Sequence, residues 1–97
     1  MKNRKDKDKY NRFVSYLEKT VRKYQDDLKL WDFRIEIATT PGTRGEGDME
    51  IERIYPYMRG YLGWNEHVYE KWKSKELRSI NHMVLHELIH WLICCKV

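Results

Sequence analysis

Apolar side chains recur at Tyr10, Phe13, Val14, Leu17, Val21, Tyr24 and Leu28, which is the i, i+3, i+4, i+7 spacing of one helical face. Arg12, Glu18, Lys19, Arg22, Lys23 and Asp26 fall on the other side, so the pattern predicts an amphipathic packing helix over about residues 8–29. The period then drops to two. Trp31, Phe33, Ile35 and Ile37 alternate with Asp32, Arg34, Glu36 and Ala38, as in a strand with one buried face. Thr39 to Asp48 is rich in turn formers and too polar to pack, and reads as a long hairpin loop. Met49, Ile51 and Ile54 alternate with Glu50 and Glu52 in a second, weaker strand, which Pro56 interrupts because proline has no donor for a ladder.

A further extended segment runs from Tyr57 to Trp64, where Gly60 and Gly63 suggest a bulge or a close approach by another backbone. Asn65 to Lys73 follows no regular period, with His67, Tyr69 and Trp72 as cleft or core residues. Ser74 or Ser79 then caps a last helix that runs to about Cys94. Taken together these elements predict an α+β fold. It has an N-terminal helix, an antiparallel or mixed three-stranded sheet and a C-terminal helix, with both helices on one side of the sheet.

Composition fits that picture. With 97 residues, 41% hydrophobic and 13% aromatic, the chain is expected to form one globular domain, residues 10–97, behind a basic flexible tail, residues 1–9. No run of eighteen apolar residues and no secretory leader is evident, which predicts a cytoplasmic protein with no membrane partner. The adjacent Cys94 and Cys95 are poorly placed to bridge each other and are expected as reduced packing residues. The net charge of +4 is local: residues 1–12 hold six basic and two acidic residues, and the rest of the chain is balanced. A weak, non-specific nucleic-acid contact is therefore confined to residues 1–12.

The chemistry is concentrated in His86-Glu87-Leu88-Ile89-His90. On a helix, residues i and i+4 stack on one face, so two imidazoles can share one metal ion while the intervening carboxylate reaches its bound water. On a wheel of about 100° per residue, His86 lies at 0°, His90 near 40° and Glu87 near 100°. Val84, Leu85, Leu88, Ile89, Leu92 and Ile93 occupy roughly 160–340° of the same wheel, leaving a narrow metal-binding stripe on an otherwise apolar helix. The bland alternative is a chance motif on an ordinary core helix.

An amphipathic helix, the strand Leu30-Trp31-Asp32-Phe33-Arg34-Ile35, a Gly-rich loop, a Tyr/Gly edge strand and a helix bearing His86, Glu87 and His90 come in order along nearly the whole chain. This arrangement resembles the small zincin-like metallopeptidases, including phage-encoded and SprT-like domains. The resemblance implies one Zn2+ held by His86 and His90, with Glu87 as the general base for hydrolysis of a peptide or protein substrate. In a protease the backbone approaching the Tyr/Gly strand would be the substrate's. Tyr57, Tyr61, Tyr69 and His67 are candidate donors to the developing oxyanion.

The third ligand is open. In that family it commonly lies downstream, whereas Trp91-Leu92-Ile93-Cys94-Cys95-Lys96-Val97 contains no His, Glu or Asp. His82, as ligand or supporting residue, Cys94 or Cys95 folded back, and His67, Glu66 or Glu70 from the strand side are the alternatives. So are water, the C-terminal carboxylate, a partner chain or oligomer, and the remainder of a longer protein. Two other functional readings stand beside the peptidase. One is a catalytically weak or inactive zincin-like module that captures an extended peptide through the Tyr/Gly edge strand; the other is a nucleic-acid-associated protein acting through its basic start.

Overall fold

A computed structural model describes the backbone of residues 2–43, 47–54 and 58–96, and side-chain surroundings within those spans from residue 9 to residue 90. The elements are α1 (Lys2–Asp27), β1 (Arg34–Ile37), β2 (Met49–Ile54), β3 (Arg59–Trp64), α2 (Glu66–Lys73) and α3 (Leu77–Lys96). The architecture is α+β, with three helices and a three-stranded mixed sheet among the described residues. Pro56 and Tyr57 lie outside the described residues, as do the side chains of Cys94 and Cys95.

Helix α1 begins at Lys2, so residues 2–9, expected as a tail, continue the helical run; they contain neither Gly nor Pro to stop it. It ends where Lys29 adopts a left-handed φ of 58° and the Leu30 N–H reaches back to the Gln25 carbonyl at 2.7 Å. That wrap-around satisfies a terminal carbonyl without the usual glycine. The buried Gln25 amide then donates to the Leu30 and Phe33 carbonyls at 3.1 and 2.8 Å, fixing the path from helix to strand. Trp31, expected to lead the strand, lies before it and is 64% exposed, its indole donating to Asp26.

The strand order is β1-β3-β2, with β1 parallel and β2 antiparallel to β3. Two expectations are corrected here. The segment after β1 is not a hairpin loop, because β1 and β2 lie on opposite sides of β3. The Tyr/Gly strand is not an edge: β3 is central, and its backbone is paired on both sides. Alternation of side chains identifies a strand's faces but carries no information about its neighbours.

The C-terminal half of β3 is covered on both faces. Leu62 and Trp64 are fully buried on the helix side. On the other side, a Cβ on Gly63 would meet the Gly42 carbonyl oxygen at 2.8 Å. The close backbone approach expected at the glycines is thus made by the chain's own segment after β1, where the Gly42 N–H donates to the Trp64 carbonyl at 2.6 Å. Ile35, Ile37, Met49, Ile51, Leu62 and Trp64 share the inner face with Phe13, Leu17, Val21, Ile80, Val84 and Leu88, so α1 and α3 cover one face of the sheet, as expected.

Helix α2 occupies the stretch read as irregular. Asn65 caps it, accepting from the His67 and Val68 N–H groups at 2.9 and 3.3 Å. Val68 and Tyr69 are buried, and Tyr69 joins an aromatic cluster with Phe13 (5.7 Å between centroids), Tyr10 (5.0 Å) and Trp72 (5.9 Å). Ser74 closes α2 instead of opening α3, and Lys75 takes a φ of 63° in the turn between them. Ser79 lies inside α3.

The indole of Trp64 donates to the Ala38 carbonyl at 2.9 Å within the core. Trp64→Phe leaves that carbonyl without its partner and removes ring volume, and is expected to cost roughly 2–3 kcal/mol. Urea unfolding followed by circular dichroism measures the loss.

Candidate metal centre

Helix α3 presents its residues unevenly. Ile80, Val84 and Leu88, spaced by four, are fully buried and form the packing line. Leu85 is half-buried and Ile89 is 39% exposed, so the apolar arc is only partly covered, against the expectation of a fully committed core face. The helix packs against β2, α1 and α2.

His86 and His90 are exposed beside that line, with ring centroids 4.4 Å apart and an interplanar angle of 54°. The i, i+4 register has therefore brought the imidazoles together as the helix requires. Neither ring takes a hydrogen bond or ion pair among the described residues, which leaves their nitrogens available. Glu87 is half-buried and shares an open pocket of about 320 Å3 with His82, Met83, His86, Met49 and Asp48. The stripe thus borders a shallow pocket where α3 meets the start of β2.

Asp48 is the residue that sequence reasoning missed. Asn65 holds it twice: the Asn65 side-chain amide donates to Asp48 Oδ1 at 3.0 Å, and the Asn65 backbone N–H donates to the Asp48 carbonyl at 3.0 Å. The same Asn65 caps α2, so one side chain fixes both a helix start and the strand-side wall of the pocket. A sequence signal existed in the Asn65-Glu66 cap, but nothing in it links position 65 to position 48.

The remaining candidates fall in different places. His82 lines the pocket one turn before His86 and is exposed. His67 is exposed in the first turn of α2 and does not line it. Glu66 accepts from the Tyr10 hydroxyl at 2.8 Å, a bond that raises the phenol above its ordinary value, and lies 3.6 Å from Lys9. Glu70 pairs with Lys73 at 3.2 Å. The backbone of α3 stays helical through Lys96, without the unwinding after Leu92 that folding back Cys94 or Cys95 requires.

Of the three tyrosines proposed as oxyanion donors, the two among the described residues, Tyr61 and Tyr69, do not line the pocket. Tyr69 is 5% exposed inside the aromatic cluster. Tyr61 alternates with the inward Leu62 on β3, so it projects from the outer face of the sheet, away from α3. Tyr57 lies outside the described residues.

Two imidazoles at this spacing are the donor chemistry that zinc takes, and they fit it as a pair. Among the described residues, no group of three or more His, Cys, Asp or Glu side chains lies close enough to hold an ion. Compared with protein families, curated proteins and solved structures, the chain matches none. Among the described residues, no helix is long and apolar enough to cross a membrane.

Asn65→Ala removes the cap and frees Asp48, and is expected to destabilise the fold by about 1–2 kcal/mol. Asn65→Asp keeps an acceptor for the cap but sets a second carboxylate against Asp48 where the amide donated, so it should be no more stable than Ala at neutral pH. Thermal melts of the three proteins give the order.

Proposed function

We propose that this chain is a zinc-dependent, zincin-like metallopeptidase domain that hydrolyses peptide bonds. The observation that carries the reading is the pair of unengaged imidazoles, His86 and His90, set side by side with Glu87 turned into the adjoining pocket. His86 and His90 hold the cation, and the remaining positions go to water or to groups beyond the described residues. A zinc ion bound there supplies the positive charge that makes a water molecule acidic near neutral pH. The Glu87 carboxylate takes the proton from the attacking water and returns it to the leaving amine.

The position of β2 supports a peptide as substrate. It is an edge strand, it packs against α3, and Met49 and Asp48 at its start line the pocket. An extended chain laid along its outer edge, the one away from β3, would run past Glu87 and His86. This moves the binding strand from the Tyr/Gly segment to β2.

Protein purified without chelators is expected to contain one zinc ion per chain by elemental analysis, and the double variant His86→Ala/His90→Ala none. Glu87→Ala is expected to retain zinc while lowering peptide hydrolysis by about 100-fold or more. Wild-type protein that neither contains zinc nor gains thermal stability on its addition would overturn the reading.

A further inference from the structure

The other edge of the sheet carries a separate feature. Among the described residues, strand β1 pairs with β3 alone. The Arg34 and Ala38 N–H groups donate to the Met58 and Leu62 carbonyls of that neighbour at 3.0 and 2.9 Å. Backbone groups alternate in direction along a strand, so the N–H and C=O of Ile35 and Ile37 point away from the sheet. Alongside them a groove of about 1060 Å3 opens between β1 and α1, lined by Val21, Phe33 and Ile35 and by charged residues of α1.

The residues on this edge are complementary to themselves. Phe33-Arg34-Ile35-Glu36-Ile37 reads apolar, basic, apolar, acidic, apolar. Turned by a two-fold axis through Ile35, an antiparallel copy sets Arg34 opposite Glu36 twice, Phe33 opposite Ile37 twice, and Ile35 opposite itself. Each opposed pair keeps its own face, the charges outside and the apolar residues toward the helices. Arg34 is exposed and has no ion-pair partner among the described residues. Glu36 is bound by Arg59 on the same outer face and its side chain is still 43% exposed, leaving it able to accept a second guanidinium.

We infer that the partner on this edge is a second copy of this chain, with β1 pairing antiparallel to β1 in a continuous six-stranded sheet. Ile35 exchanges two hydrogen bonds with its symmetry mate. A strand of four residues offers a foreign peptide few backbone bonds, whereas two-fold symmetry makes every contact twice. The inference is independent of the metal chemistry on α3.

The test uses charge reversal and sedimentation velocity across micromolar concentrations, with circular dichroism to verify folding. Wild type is expected to show a concentration-dependent monomer–dimer equilibrium. Arg34→Glu and Glu36→Arg, each alone, place like charges opposite one another and should weaken self-association about tenfold or more. Mixed in equal amounts, the two variants again set opposite charges together and should form a heterodimer. The double variant Arg34→Glu/Glu36→Arg should recover the wild-type equilibrium. A wild-type monomer at every concentration overturns the inference and leaves the groove to an extended segment of another protein. A dimer that both single variants leave unchanged overturns it as well.

Discussion

A buried indole needs an acceptor inside the core, and the packing of this chain is arranged around supplying one to Trp64. Its N–H meets the Ala38 carbonyl just beyond β1, and its own carbonyl receives the Gly42 N–H. Its ring lies edge-on to Phe13 of α1 at 4.8 Å and to Tyr10 at 5.4 Å, and its backbone is opposite Met49 of β2. One residue therefore draws together the first helix, the ends of two strands and the connecting segment. The next residue, Asn65, begins α2. A polar atom on a large apolar group restricts the neighbours far more than an aliphatic side chain in the same place would, because an unmet hydrogen bond there costs more than an imperfect contact.

How much of this was legible in the sequence depends on the range of the interaction. Periodicity identified α1, the strand residues Arg34–Ile37 and Met49–Ile54, and the final helix, since amphipathic faces are written in neighbouring positions. The order of the strands was not, since it is decided by pairing between segments distant in sequence, β3 with β1 on one edge and with β2 on the other. Tyr61 and Gly63 resembled an edge only because polar and small residues are also what an outer face tolerates. Helix α2 was missed although its cap, its acidic first turn and its inward Val68, Tyr69 and Trp72 were all present. Eight residues give too few turns for a period to stand out.

The candidate site divides in the same way. His86 and His90 share a helix, so their proximity follows from helical geometry and needs no tertiary knowledge. Asp48 reaches the same pocket only because β2 is an edge strand packed on α3, and no local pattern encodes that adjacency. Tyr69 was a plausible site residue by type, yet the aromatic cluster of α1 and α2 claims it. The outward flank of α3, with Ile89 and Leu85 only partly covered, departs from the wheel for a related reason: the wheel sorts residues by angle, but the neighbouring elements decide how much of that angle is shielded.

Asn65 shows how little freedom such a compact arrangement leaves at certain positions. Its oxygen must accept from the first turn of α2 while its nitrogen must donate to Asp48. Aspartate, a good cap, has no donor, and glutamine has both functions on a longer arm. A primary amide at this length meets both requirements, so the position should tolerate almost no drift, although its side chain contributes nothing to the apolar core. A position that looks like an ordinary turn residue is thereby one of the most constrained in the chain.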